Sequence, residues 1–218
     1  MNRVLIGVLF VCNLSLANAG EMQLGSQNPL LEKINFVSAI QSAKAGKTRE
    51  ERRLVLTAGD AAHQSPKSLP AYENGDVYYL TGNLADSWTS SEWDRYYGIA
   101  KWLVKSHFRV IMNPLSLPDD VREAVQSPLT SIIIWSSHGD NEGTIYDSSD
   151  DPLPADVFSS NASASLRQII FSNCYGEMTV KHYALPSGVN IKHWIGETTS
   201  DDLFTYLLSD QWDHDLAL

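Results

Sequence analysis

The sequence predicts an α/β fold: a three-layer sandwich in which a mostly parallel central sheet carries helices on both faces. Three observations lead there. From residue 54 to the C-terminus, short apolar runs alternate with segments of helical periodicity. Two of these runs, SIIIWSS at 131–137 and RQIIFS at 167–172, are nearly continuous rather than alternating, as in strands covered on both faces. The composition, 43% hydrophobic and 19% charged over 218 residues, is that of a globular chain able to bury one substantial core.

The chain opens MNRVLIGVLFVCNLSLANAG, with Arg3 ahead of an apolar run from Val4 to Val11 and the small residues Ala17 and Ala19 before Gly20. This is the pattern of a signal peptide cleaved after Ala19, and it predicts an exported protein, secreted or periplasmic. The run is too short to cross a bilayer, which takes about 20 apolar residues. No later segment is long and apolar enough. Three parts are expected: a signal peptide at 1–19, an N-terminal helical segment at 20–50 and the main domain at 51–218.

In the helical segment, Asn28 suits an N-cap and Pro29 the first turn; Leu30, Ile34, Val37 and Ile40 then mark an apolar face that ends near Gly46. Beyond the charged TREERR, Leu54 to Ala58 reads as a strand. A connection rich in Gly, Pro, Asn and Ser follows from Asp60 to Ser90, broken by the apolar VYYL at 77–80. Connections of that length in a domain of this size are commonly functional. Trp93, Tyr96, Tyr97, Ala100, Leu103 and Val104 recur at helical spacing and predict a helix over 91–106. FRVIM at 108–112 is a strand, and LPDDVREAVQ, closed by Pro128, is a helix. After the strand at 131–137 come a polar loop, a short helical stretch at 154–158, the strand at 167–172, an irregular stretch, a strand at NIKHWI (190–195) and a final helix over 201–208. Trp93, Tyr97, Trp135 and Trp194 fall inside these elements as packing residues. Trp88 and Trp212 lie in less regular segments, where exposure is expected.

Charge and cysteine usage narrow the function. The formal charge is −10, and −11 once Arg3 leaves with the leader. Without a basic patch, this argues against nucleic-acid backbones and anionic membranes as partners. Of the two cysteines, Cys12 lies in the leader, so Cys174 is left without an internal partner. In an oxidising compartment such a thiol links to another chain, sits buried and inert, or acts as a nucleophile. His63, His107, His182, His193 and His214 show no metal-ligand spacing, so no cofactor is expected. The acidic DSSDD at 147–151 reads as a solvated loop, with calcium as the alternative, although its spacing matches no standard calcium loop.

The chemistry is expected at two strand ends. The strand at 131–137 runs into His138-Gly139, and the strand at 167–172 into Asn173-Cys174. In open parallel sheets, sites form beyond the carboxyl ends of the strands. If these two strands are neighbours, a thiol and an imidazole emerge at one edge. The thiolate attacks a carbonyl carbon, and the histidine both favours the thiolate and protonates the leaving group. Gly139 leaves room for an incoming carbonyl, and the amides of Gly139 and Cys174 are the oxyanion-hole candidates. Taken singly, Cys174 reads as a small buried hydrophobe and His138 as a hydrogen-bonded strand-end residue. Their joint placement is what points to catalysis.

IIIWSSHGDNEG, with His138 and Gly139, and RQIIFSNCYG, with Cys174 and Gly176, together resemble the caspase-like superfamily of cysteine peptidases, clan CD, which includes caspases, metacaspases, legumains, gingipains and clostripain-like enzymes. The resemblance implies a caspase-like domain over 51–218 that hydrolyses peptide bonds in protein or peptide substrates, with Cys174 as nucleophile and His138 as general acid and base. The chain departs from the family pattern at Ser172-Asn173, where an acidic or amide residue and then a small one usually precede the nucleophile. No arginine lies between Gly59 and Ser90, so a caspase-type preference for aspartate is not implied. Asp140, Asn173 and Asp147 are the substrate-pocket candidates, and an acidic pocket would suit Lys or Arg. The alternative is a caspase-like fold kept as a catalytically inactive binding or regulatory module, with Asn173 marking the altered site.

Overall fold

The computed structural model describes residues 20–25, 28–58, 74–84, 89–159 and 161–216. The expected leader and, within the 60–90 connection, residues 60–73 and 85–88, with His63 and Trp88, lie outside these residues. In chain order the elements are β1 (Gly20–Leu24), α1 (Pro29–Lys44), β2 (Leu54–Ala58), β3 (Asp76–Thr81), α2 (Ser90–Lys105), β4 (Arg109–Asn113), α3 (Pro118–Gln126), β5 (Thr130–Ser136), β6 (Gln168–Ser172), α4 (Gly176–His182), β7 (Asn190–Lys192), α5 (Ser200–Leu207) and α6 (Asp210–Leu216).

The strands form one sheet in the order β1-β2-β4-β3-β5-β6-β7. From β4 to β7 every pairing is parallel. β2 runs antiparallel to β4, and β1 parallel to β2. Numbered from β3, the parallel block has the order 2-1-3-4-5, in which the winding direction reverses between β3 and β5. Ligand crevices of doubly wound sheets open at that reversal, beyond the carboxyl ends of the strands.

Because side chains alternate across a strand, each central strand feeds two cores. Val77, Tyr79, Val110, Met112, Ile132, Ile134 and Ile170 pack on one face with residues of α1, α2, α5 and α6. Tyr78, Leu80, Ile111, Ile133, Trp135, Ile169 and Phe171 pack on the other with Val121, Ala124 and Val125 of α3, the 145–166 connection and Tyr183. This double coverage is why SIIIWSS and RQIIFS read as unbroken apolar runs. The helix starts are chemically marked. Asn28 accepts the Leu31 amide at 3.2 Å, Thr89 and Glu92 form a capping box, and Asp120 accepts the Leu117 amide at 2.9 Å, each satisfying a donor the helix leaves free.

Several expectations are corrected. The buried face of α1 is Glu32, Phe36, Ile40 and Ala43; Leu30 and Ile34 are exposed. The helix is apolar on both sides, so periodicity alone does not choose. The aromatic ring of Phe36 packs against Tyr97 at 5.4 Å. Glu32 is tolerated on the inner face because it accepts hydrogen bonds from the Gly25 amide at 2.6 Å, from Lys101 Nζ at 3.0 Å and from the Tyr97 hydroxyl. Ahead of α1, GEMQL adds β1 to the sheet edge, a strand the sequence reading lacked. The stretch after Cys174 is helical as α4, residues 154–158 are turns, and the strand expected over 190–195 ends at Lys192. Trp212 is buried: α6 brings it edge-on to Trp102 at 4.5 Å.

Candidate active site

β5 and β6 pair in parallel register, from Ile132 opposite Gln168 to Ser136 opposite Ser172. His138 and Cys174 each lie two residues beyond that last pair. They therefore leave neighbouring strands, spaced about 4.8 Å apart, at equivalent positions and on the same edge of the sheet. The loops touch there. A Cβ on Gly139 would collide with the Cys174 carbonyl oxygen and stand 2.7 Å from Asn173 Nδ2. The glycine thus admits the backbone of the cysteine loop, a nearer reason for its lack of a side chain than room for a substrate carbonyl.

The imidazole of His138 is exposed, and Cys174 is half-buried with Sγ 4.0 Å from the Thr198 carbonyl oxygen. The cysteine sits on a sharp strand-to-helix turn. Tyr175, which follows it, is left-handed at φ 56°, and its amide donates to Gly196 O at 2.6 Å. Residues 193–198 pass alongside: a Cβ on Gly176 would lie 3.0 Å from both His193 Cβ and Trp194 O, and Gly196 donates to Glu177 Oε2 at 3.3 Å. The amides of Gly139 and Cys174, expected as oxyanion donors, have no backbone acceptor among the described residues.

The three pocket candidates have different surroundings. Asn173 is buried, and its Nδ2 donates to Cys174 O at 2.8 Å and Thr179 Oγ1 at 2.9 Å, tying the turn to α4. Asp140 caps its own loop, accepting the amides of Glu142 and Thr144 and the Tyr146 hydroxyl, each at 2.9 Å. Burial pushes its pKa upward, but these hydrogen bonds outweigh it and hold the carboxyl below its ordinary range. Asp147 is buried and accepts the amides of Ser149 at 2.7 Å and Asp151 at 3.2 Å.

One residue near His138 escaped the sequence reading. Asn83, just past β3, accepts the His138 amide on Oδ1 at 3.1 Å. A single Asn after a strand carries no signal beyond that of a turn residue, and its partner lies 55 positions away. Among the described residues, no group of three or more His, Cys, Asp or Glu is placed to hold a metal ion, and no helix is long and apolar enough to cross a membrane. Comparison of the chain with family models, curated proteins and solved structures returned no match.

Proposed function

We propose that this chain is an exported cysteine endopeptidase of the caspase-like type, with Cys174 as nucleophile and His138 as general acid and base. The observation that carries the reading is the β5–β6 register, which sends a thiol and an imidazole off adjacent strands at one edge of the sheet, next to the reversal in strand order. In the first half-reaction Sγ, as thiolate, attacks the peptide carbonyl carbon. The resulting oxyanion is received by the Gly139 and Cys174 amides, and the imidazolium of His138 protonates the departing amine as the C–N bond breaks. In the second, His138 takes a proton from water, which attacks the thioester; collapse releases the carboxylate product and restores the thiol. An acidic rim, with Glu142 and Glu197 exposed near the two loops, suits substrates with Lys or Arg beside the cut bond.

One observation favours a non-catalytic module instead: Cys174 is half-buried beside the Thr198 carbonyl. A single experiment separates the readings. The mature protein, reduced, is incubated with a diverse peptide library and the products are read by mass spectrometry beside Cys174→Ala and His138→Ala. The peptidase reading predicts cleavage by the wild type alone, with all three proteins folded. Full cleavage by either variant sinks it, and cleavage by none of them supports the module.

A further inference from the structure

We propose that Asn83 is a positioning residue for His138, holding the main chain from which the imidazole projects; the proposal rests on the peptidase reading above. His138 lies two residues beyond the end of β5, and the antiparallel bridge between Gly139 and Ile145 begins immediately after it. Side chains hold the two polar groups of its own backbone. Its N–H donates to Asn83 Oδ1 at 3.1 Å. Its C=O accepts from Ser137 Oγ at 2.7 Å, and that oxygen in turn accepts from Trp135 Nε1 at 2.9 Å, deep in the core. Both polar groups of the His138 backbone are therefore tethered, one to β5 itself and the other across to the end of β3.

Asn83 is itself held from two directions. Behind it, Gly82 continues the sheet by donating to Ser136 O at 2.9 Å. A Cβ on Gly82 would stand 2.9 Å from Ser137 Cβ and overlap the Tyr146 carbonyl oxygen, so the turn is wedged between the end of β5 and the loop that follows it. In front, Asn83 Nδ2 donates to Asp150 Oδ1 at 2.8 Å. Asp150 adopts a left-handed backbone at φ 63°, uncommon for a residue other than glycine but tolerated by Asp, and its amide donates to Asp147 O at 3.2 Å. The buried Asp147 thus anchors the turn that presents Asp150, Asp150 orients Asn83, and Asn83 fixes His138. This relay gives the acidic 147–151 loop a role at the site without contact with substrate.

The test uses the peptide cleaved best by the wild type and compares Asn83→Ala, Asp150→Ala, His138→Ala and the double variant Asn83→Asp with Asp150→Asn. The double variant keeps an acceptor for the His138 amide and reverses the sense of the second bond. Loosening the imidazole acts on the chemical step, so Asn83→Ala is expected to lower kcat by about 10- to 100-fold at nearly unchanged KM. Asp150→Ala should cause a smaller loss, and the double variant should recover to within a few-fold of wild type. Alkylation of native Cys174 by iodoacetamide gives a second readout that needs no substrate, and its rate should fall in the same order. If Asn83→Ala lowers Tm but leaves kcat and the alkylation rate unchanged, Asn83 is only a loop staple and the proposal is overturned. Should Asn83→Ala fail to fold, full activity in Asp150→Ala overturns the proposed relay. If His138→Ala keeps full kcat, it is the peptidase reading that has failed, and this proposal falls with it.

Discussion

Replacing Gly139 by alanine probes the contact on which the site is built. The new methyl would stand 2.7 Å from Asn173 Nδ2 and closer still to the Cys174 carbonyl oxygen, a backbone atom that cannot swing aside. Restoring ordinary contact near 3.4 Å with that carbonyl oxygen means opening the two loops by about 1 Å. Overpacking of this kind costs about 1–3 kcal/mol, which for a domain of this size lowers Tm by roughly 2–4 °C per kcal/mol. The shift falls on the carbonyl of the nucleophile itself, and a misplacement near 1 Å costs on the order of 100-fold in rate. We therefore expect Gly139→Ala to stay folded, to lose a few degrees of Tm and to lose about 10- to 100-fold in kcat. Thermal melts and initial rates on one peptide measure both. A variant with wild-type rate and wild-type Tm would refute the reasoning, because it would mean that the His138 and Cys174 loops are not in contact.

Other substitutions test the frame around the site. Gly98→Ala, within α2, puts a methyl at ordinary contact distance, 3.6 Å, from Phe204, so it should stabilise by about 0.5–1 kcal/mol through helix propensity alone; a lower Tm would contradict this. Phe36→Ala empties a fully buried position on α1 and should cost about 3–5 kcal/mol in chemical denaturation, whereas a loss below about 1 kcal/mol would mark the helix as peripheral. The Glu123 carboxyl is held below its ordinary pKa, first by hydrogen bonds from the Arg53 guanidinium at 2.7 Å, then by Arg49, against the opposing effect of burial. A depressed carboxylate pKa contributes stability above the unfolded value, about 4.3, that is lost as pH falls through the folded value. The Tm gap between wild type and Arg53→Ala should accordingly be present at pH 7 and shrink below about pH 4. A gap independent of pH would show that the pair contributes nothing through ionisation.

The parts of the fold legible in sequence are those where one physical signal dominates. β5 and β6 announce themselves because burial on both faces confines polar residues to their ends, Thr130, Ser131 and Ser136 in one and Gln168 and Ser172 in the other, and α2 because its apolar residues share one stripe. Periodicity misplaces the inner face of α1, since Leu30 and Ile34 are as apolar as Phe36 and Ile40, and only tertiary partners for Glu32 decide between the faces. β1 has no clear sequence signal because GEMQL is short and half polar, and its pairing with β2 is a long-range choice. The reversal of β2 against β4 has no local signature at all. The placement of His138 and Cys174 at one sheet edge is legible because each comes three residues after the last apolar residue of a strand, Trp135 and Phe171. That of Asn83 is not, because its role depends on partners contributed by two distant loops.

The most direct test of the account is covalent trapping. Wild-type protein and His138→Ala, both reduced and folded, are exposed to peptidyl chloromethyl ketones with Lys or Arg next to the reactive group, and the adduct is located by peptide mapping. The account predicts a single adduct on Cys174, formed at least about 100-fold more slowly in His138→Ala, in line with the usual contribution of a positioned acid–base group. A native Cys174 that stays unmodified, while the thiol of the unfolded chain reacts, would contradict it.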